Sequence, residues 1–238
     1  MSRPHVGLST LTGSLENYAD RFDLLEVRLG EASLPKPATL RTWRKKVPPS
    51  FVFSVVLPRI VGELRPSKEL DEALERSLEV ARALEARCIV LVTPPSVTPT
   101  ELNKKRLEAL VARIPHDAVT LAWEPRGVWE IDQAALLAQR LGLVVVVDPE
   151  HEAPPKGPVA YLRLRGLGES TRLGPAALDK VANALRDRRD GYVVVEASAP
   201  LKVAEGIRTR LARKPVRGGT AALGRARGMV LHADDEEQ

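Results

Sequence analysis

The chain has 238 residues, longer than an average domain and close to the roughly 250 residues of a single α/β barrel. It carries 36 Lys and Arg against 31 Asp and Glu, a formal net charge of +5, which admits an anionic ligand or weak nucleic-acid attraction without requiring either. A single cysteine, Cys88, excludes an intrachain disulfide, and the longest β-branched run, Val144–Val147, is far too short to span a bilayer. The opening Met1-Ser2-Arg3-Pro4-His5 lacks an apolar stretch of signal-peptide length, so a cytoplasmic protein with no membrane partner is expected.

Eight short apolar runs alternate with helix-like segments. The first two, His5–Leu8 and Leu24–Arg28, bracket a short helix at Leu15–Arg21, and Ala38–Lys46 leads to the third, Phe51–Leu57. Ser67 is placed to cap a longer helix in which Leu70, Leu74, Leu78, Ala81 and Leu84 recur at steps of three and four. The fourth run is Cys88–Val92. Thr98 and Glu101 then form a capping-box pattern with Pro99 at the first helical position, and Pro115 stops that helix. Val119–Trp123 precedes a helix at Ile131–Arg140, and Val144–Val147 follows it.

The stretch Glu150–Pro158 (EHEAPPKGP) joins two runs without a helix, because its prolines forbid one. Ala160–Arg165 comes next, then a helix opened by Gly174-Pro175, the last run Gly191–Val195, and a helix over Leu201–Arg213. Near-continuous aliphatic runs suit strands buried on both faces. Eight strands alternating with helices predict a single (β/α)8 TIM-like barrel over residues 1–213, with the loop at 150–158 replacing one helix and 214–238 as an extension. An open doubly wound sheet would carry a glycine-rich phosphate turn after the first strand, but Ser9-Thr10-Leu11-Thr12-Gly13 has no such pattern.

In a barrel, the chemistry sits where strands end. Strand side chains alternate, so Glu26 and Arg28 share one face, as do Tyr161, Arg163 and Arg165. Buried charge must be paired, so these groups should find one another. Carboxylates at comparable positions are Glu26, Glu124, Asp148 and Glu196, and the cations are Arg28, Arg59, Arg126, Arg163 and Arg165. Arginine forks match carboxylate or phosphate oxygens, so a small anionic molecule is the expected ligand.

Trp123 and Trp129 flank Glu124. They read first as packing, and alternatively as an apolar wall that raises the Glu124 pKa. His5, His116, His151 and His232 lie in no metal-ligand spacing. Neither a metal nor a cofactor is expected, although Asp148, Glu150 and His151 are the residues to consider for one. Cys88 opens a strand and reads as a buried structural thiol. Gly218-Gly219 reads as a turn, and the basic segment Arg208–Arg227 as a solvated helix and tail.

An ordered series of short patterns over roughly residues 5–200 resembles the domain of unknown function 72 family, the YecE-like proteins. It runs from Val6-Gly7 through Tyr18-Ala19, Arg21-Phe22, Glu26, Trp43 and Pro48-Pro49 to Phe51-Val52-Phe53-Ser54-Val55. Leu57-Pro58-Arg59-Ile60, Pro94-Pro95-Ser96, Trp123-Glu124-Pro125-Arg126 with Trp129, Asp148, Tyr161 to Gly166 and Tyr192-Val193-Val194 complete it. The resemblance implies a TIM-barrel-like fold and a pocket of Glu26, Arg59, Glu124, Arg126, Asp148, Tyr161 and Arg163.

The chain departs from the family at several of its usual positions. Ser9-Thr10-Leu11 stands where members carry Gly-Trp, Arg28-Leu29-Gly30 where they carry Asn and an aromatic, and Val56 where they carry Lys. Val61-Gly62 replaces Thr-His, Pro125-Arg126-Gly127 replaces aromatic-Arg-His, and Glu196-Ala197 replaces paired asparagines.

Three functions are therefore expected in competition. One is a hydrolase or other acid–base enzyme on a small anionic or sugar-like substrate. In it Glu124 is the general acid or base, Glu26 and Asp148 assist, and Arg28, Arg59, Arg126, Tyr161, Arg163, Arg165 and Glu196 hold the ligand. The second is a barrel without catalysis that binds a ligand or a protein. The third is nucleic-acid association through Arg208–Arg227.

Overall fold

Each apolar run becomes one strand of a closed parallel barrel. The strands are β1 (Arg3–Leu8), β2 (Leu24–Arg28), β3 (Val52–Val56), β4 (Cys88–Thr93), β5 (Thr120–Pro125), β6 (Val144–Val147), β7 (Val159–Leu164) and β8 (Asp190–Val195). Each pairs with the next, and β8 returns to β1 through six register partners from Arg3↔Asp190 to Leu8↔Val195. This computed structural model describes residues 3–30, 36–115, 118–165 and 173–212.

Alternation sorts the strand residues into two cores. Leu24, Val52, Cys88, Val90, Ala122, Val146, Tyr161, Tyr192 and Val194 fill the barrel. Leu25, Phe53, Val55, Ile89, Leu91, Leu121, Trp123, Leu162 and Val193 face outward into the helical layer. Burial on both faces is why the runs are nearly continuously apolar.

The helices are α1 (Leu15–Ala19), α2 (Pro37–Lys45), α3 (Arg59–Gly62), α4 (Lys68–Ala83), α5 (Glu101–Val111), α6 (Ile131–Arg140), α7 (Pro175–Leu185) and α8 (Pro200–Ala212). Ser67 caps α4 as expected, its hydroxyl accepting the Leu70 N–H at 3.1 Å. The start of α5 differs from expectation. Thr100, not Thr98, is the cap, because its hydroxyl takes the Asn103 N–H at 3.3 Å, and Thr98 instead uses its carbonyl to accept from Asn103 Nδ2. The single turn α3 is not among the helices the sequence predicts.

One seam is closed by a side chain. A Cβ on Gly7 would sit 1.7 Å from the Leu24 carbonyl oxygen, so only glycine lets β1 approach β2 here. The Tyr18 hydroxyl inserts between the two, accepting from the Leu8 N–H at 2.8 Å and donating to Leu24 O at 2.7 Å. Burial pushes the Tyr18 phenol pKa up, which keeps this donor neutral.

No helix covers the connection from β6 to β7, as the prolines predict. Arg188, just past α7, ties the loop down by donating to Gly157 O at 2.6 Å and Pro154 O at 3.3 Å. A groove of about 910 Å³ remains between this loop and α6, with Leu136 exposed on its rim. Among the described residues, no helix is long and apolar enough to cross a membrane. Residues 213–238 and His116 lie outside the described residues. Of the basic segment, Arg208 pairs with Asp23 at 2.7 Å and Arg210 with Asp179 at 2.6 Å.

Candidate functional site

Tyr161 and Arg163 follow Val159 on the inner face of β7, so the chain carries a phenol and then a guanidinium up the barrel axis. Arg163 is buried at the carboxyl end of the strands and uses its whole fork. Nη1 and Nη2 reach the two Glu26 oxygens at 2.7 Å each, Nε reaches Glu124 Oε2 at 2.8 Å, and Nη1 also meets Glu196 at 2.7 Å. Burial works against this charge, but Glu26 and Glu124 outweigh it and hold the arginine pKa above its ordinary value.

The carboxylates around it are equally committed. Glu26 also accepts from the Tyr161 hydroxyl at 2.7 Å and Arg28 Nε at 3.1 Å, while Ser54 Oγ lies 3.0 Å from the same hydroxyl. Glu196, on the residue after β8, pairs with Arg28 as well as Arg163. Glu124 receives Arg126 Nε at 2.8 Å and Arg165, besides Arg163. Burial pushes the Glu124 pKa up, yet the Arg163, Arg165 and Arg126 guanidiniums overcome it and bring it down to about 2.

That direction sets aside the alternative reading of Trp123 and Trp129 as an apolar wall and leaves the first one, packing. Trp123 precedes Glu124 on β5 and therefore points to the outer core, where its indole donates to Thr93 Oγ1 at 3.1 Å. Trp129 meets it edge-on at 4.9 Å and donates to Val97 O at 2.7 Å. Both rings pack outside the barrel, on the far side of the strand from the Glu124 carboxyl.

The structure thus joins Glu26, Arg28, Glu124, Arg126, Tyr161, Arg163, Arg165 and Glu196 in one network. Asp148 stands at its edge and caps backbone, accepting the Glu150 N–H at 3.0 Å and the Arg165 N–H at 3.2 Å. His151 Nδ1 lies 3.7 Å from Asp148. Among the described residues, no group of three or more His, Cys, Asp or Glu is placed to hold a metal ion. Cys88 lies at the opposite end of the barrel interior, where burial pushes its thiol pKa up and disfavours the thiolate.

Arg59 sits apart from the network on α3, largely exposed, with Nε on Glu63 Oε1 at 3.1 Å. It nevertheless lines the same cleft, a space of about 300 Å³. Arg28, Arg59, Arg126 and Arg163 supply the polar lining, and Val56, Leu57, Val92, Pro94 and Pro95 the rest. None of Glu26, Glu124 or Glu196 lines it. The apolar wall and Glu63 were missed in the sequence. The signal for Glu63 was its i,i+4 spacing from Arg59, and the signal for the wall was Pro94-Pro95 directly after a strand.

Fold and site define a (β/α)8 barrel with an arginine-rich mouth at the carboxyl ends of its strands. The family described as Protein of unknown function DUF72 matches residues 6–217, and the chain belongs to that family. Comparison with curated proteins gives no match. A DUF72 family protein from Enterococcus faecalis is similar in structure, with 14% identity, a TM-score of 0.69, and coverage of 90% of this chain and 97% of the other. One from Thermotoga maritima has 19% identity and a TM-score of 0.64, covering 88% and 99%. Outside the family, D-psicose 3-epimerase from Clostridium cellulolyticum shows 9% identity and a TM-score of 0.57, covering 87% and 96%. At such identities the likeness is one of fold.

Proposed function

We propose that the mouth binds a small organic anion, with arginines facing the ligand and the buried carboxylates supporting them. The observation that carries this reading is how Arg126 and Arg59 are held. Each engages its carboxylate through Nε, and the Nη groups of both have no partner among the described residues. Both line the cleft, and the carboxylates that hold them, Glu63 and Glu124, do not. A guanidinium fixed at Nε presents its remaining N–H groups in the planar arrangement that suits phosphate or carboxylate oxygens.

An acid–base enzyme working through Glu124 is less well supported. General catalysis near neutral pH needs a carboxyl pKa tuned upward. Three guanidiniums hold Glu124 at about 2, which makes it a weak base and leaves no proton to donate. Glu26 is enclosed by Arg163, Arg28 and Tyr161.

Titration calorimetry with inorganic phosphate and n-propyl phosphate at low salt tests the reading. Binding is expected, and Arg126→Gln should weaken it about tenfold or more, since a charge-assisted hydrogen bond is worth about 1.5–3 kcal/mol. Absence of binding by either anion, or affinities unaltered in Arg126→Gln, would remove the proposal.

A further inference from the structure

The two partly engaged arginines are separated by a specific piece of chain. β3 pairs with β4 and β4 with β5, so the ends of β3 and β5 stand two strand spacings apart, about 10 Å. Arg59 follows β3, and Arg126 follows β5. Between them the chain leaves β4 as Pro94-Pro95.

Two glycines seat that proline pair. A Cβ on Gly62 would lie 2.0 Å from the Val92 carbonyl oxygen and 3.7 Å from Pro94 Cδ. A Cβ on Gly127 would lie 2.8 Å from Pro95 Cα, and Gly127 also has a φ of +91°. The prolines are therefore packed against the Arg59 loop on one side and the Arg126 loop on the other. The anchors are divided in the same way, with Glu63 beside Gly62 and Glu124 inside the barrel on β5. The two arginines thus come to the cleft from opposite sides of the proline pair.

Building on the anion-binding reading, we infer that the cleft takes a ligand with two anionic groups joined by a short apolar spacer. One anion lies on Arg59 and the other on Arg126, with the spacer across Pro94 and Pro95. Val92, Val56 and Leu57 line the cleft beside the prolines, and Arg28 and Arg163 complete its wall. The volume of about 300 Å³ is at the small end for ligand sites and limits the spacer to a few atoms.

The test is a calorimetric series of n-alkyl monophosphates and α,ω-alkanediol bisphosphates with spacers of two to six carbons. The best bisphosphate is expected to bind about tenfold or more tightly than its monophosphate, with an optimum at an intermediate spacer. Arg59→Gln should bring it down to the monophosphate level, and exposure of the Arg59 side chain protects folding in that variant. Arg189→Gln, just before β8 and at the opposite end of the barrel, should alter neither series. Equal affinities for mono- and bisphosphates, or a gain indifferent to spacer length and to Arg59, overturn the two-anion inference while leaving anion binding intact. Absence of binding by both series overturns the anion-binding reading itself.

Discussion

The two halves of the barrel mouth use equivalent inward positions for opposite chemistry. On one side β2, β5, β7 and β8 bring up Glu26 and Arg28, Glu124, Tyr161 and Arg163, and Glu196. On the other, β3 and β4 end in Val56 and Val92. The charged half satisfies itself so fully that it fills its own space. The cleft opens instead where the aliphatic half leaves room, and Arg28, Arg59, Arg126 and Arg163 line it while the carboxylates do not. A dense cluster of charge in a barrel is thus the frame of a site, and the cavity lies beside it.

The comparison breaks most directly at Arg163. Arg163→Met leaves Glu26 and Glu124 buried with less compensation and should cost about 3–5 kcal/mol by urea denaturation. Val90→Ala, from the apolar half, should cost about 2 kcal/mol. The reverse order would mean that the network is not what holds the mouth together.

Glu124 sharpens the contrast through pH. Its folded pKa of about 2 lies below the ordinary 4.5, so folding favours the ionised form. That contribution, about 3 kcal/mol, is complete above pH 4.5 and drains away as pH falls toward 2. Glu124→Gln should lower stability at neutral pH and flatten its decline across that interval in urea titrations. A decline as steep as in the parent protein would place the acid sensitivity elsewhere. The smallest effect is expected for Tyr161→Phe. It removes one hydrogen bond to Glu26 and the contact with Ser54, at a cost of about 1 kcal/mol in the same assay.

The strand residues were legible because burial on both faces leaves an unbroken aliphatic record and alternation is a fixed rule. It correctly put Glu26 with Arg28, and Tyr161 with Arg163, inside. Partner choice was not legible. Arg163 meets Glu26 across 137 positions and Glu124 across 39, and no local spacing encodes such a pairing. The alternative that a tryptophan wall raises the Glu124 pKa fails for a related reason. Sequence adjacency suggested Trp123 as its environment, while in a strand adjacency means opposite faces. Arg59 was grouped with the strand ends, yet Pro58 turns the chain into α3 and carries it to the rim.

The helix-free link between β6 and β7 has a consequence for how the ring comes apart. β6 has four residues and only two register partners on each side, Ala122↔Val144 and Trp123↔Val145, then Val146↔Tyr161 and Val147↔Leu162. β4 and β5 share six. The equally short register between β1 and β2 is bridged by the Tyr18 hydroxyl, whereas β6 has no such clasp among the described residues. Amide protons of Val144–Val147 should therefore trade with solvent ahead of those in β4, through openings that leave the arginine frame closed. The ring is closed all round, and β6, its shortest strand, is where it is expected to loosen first.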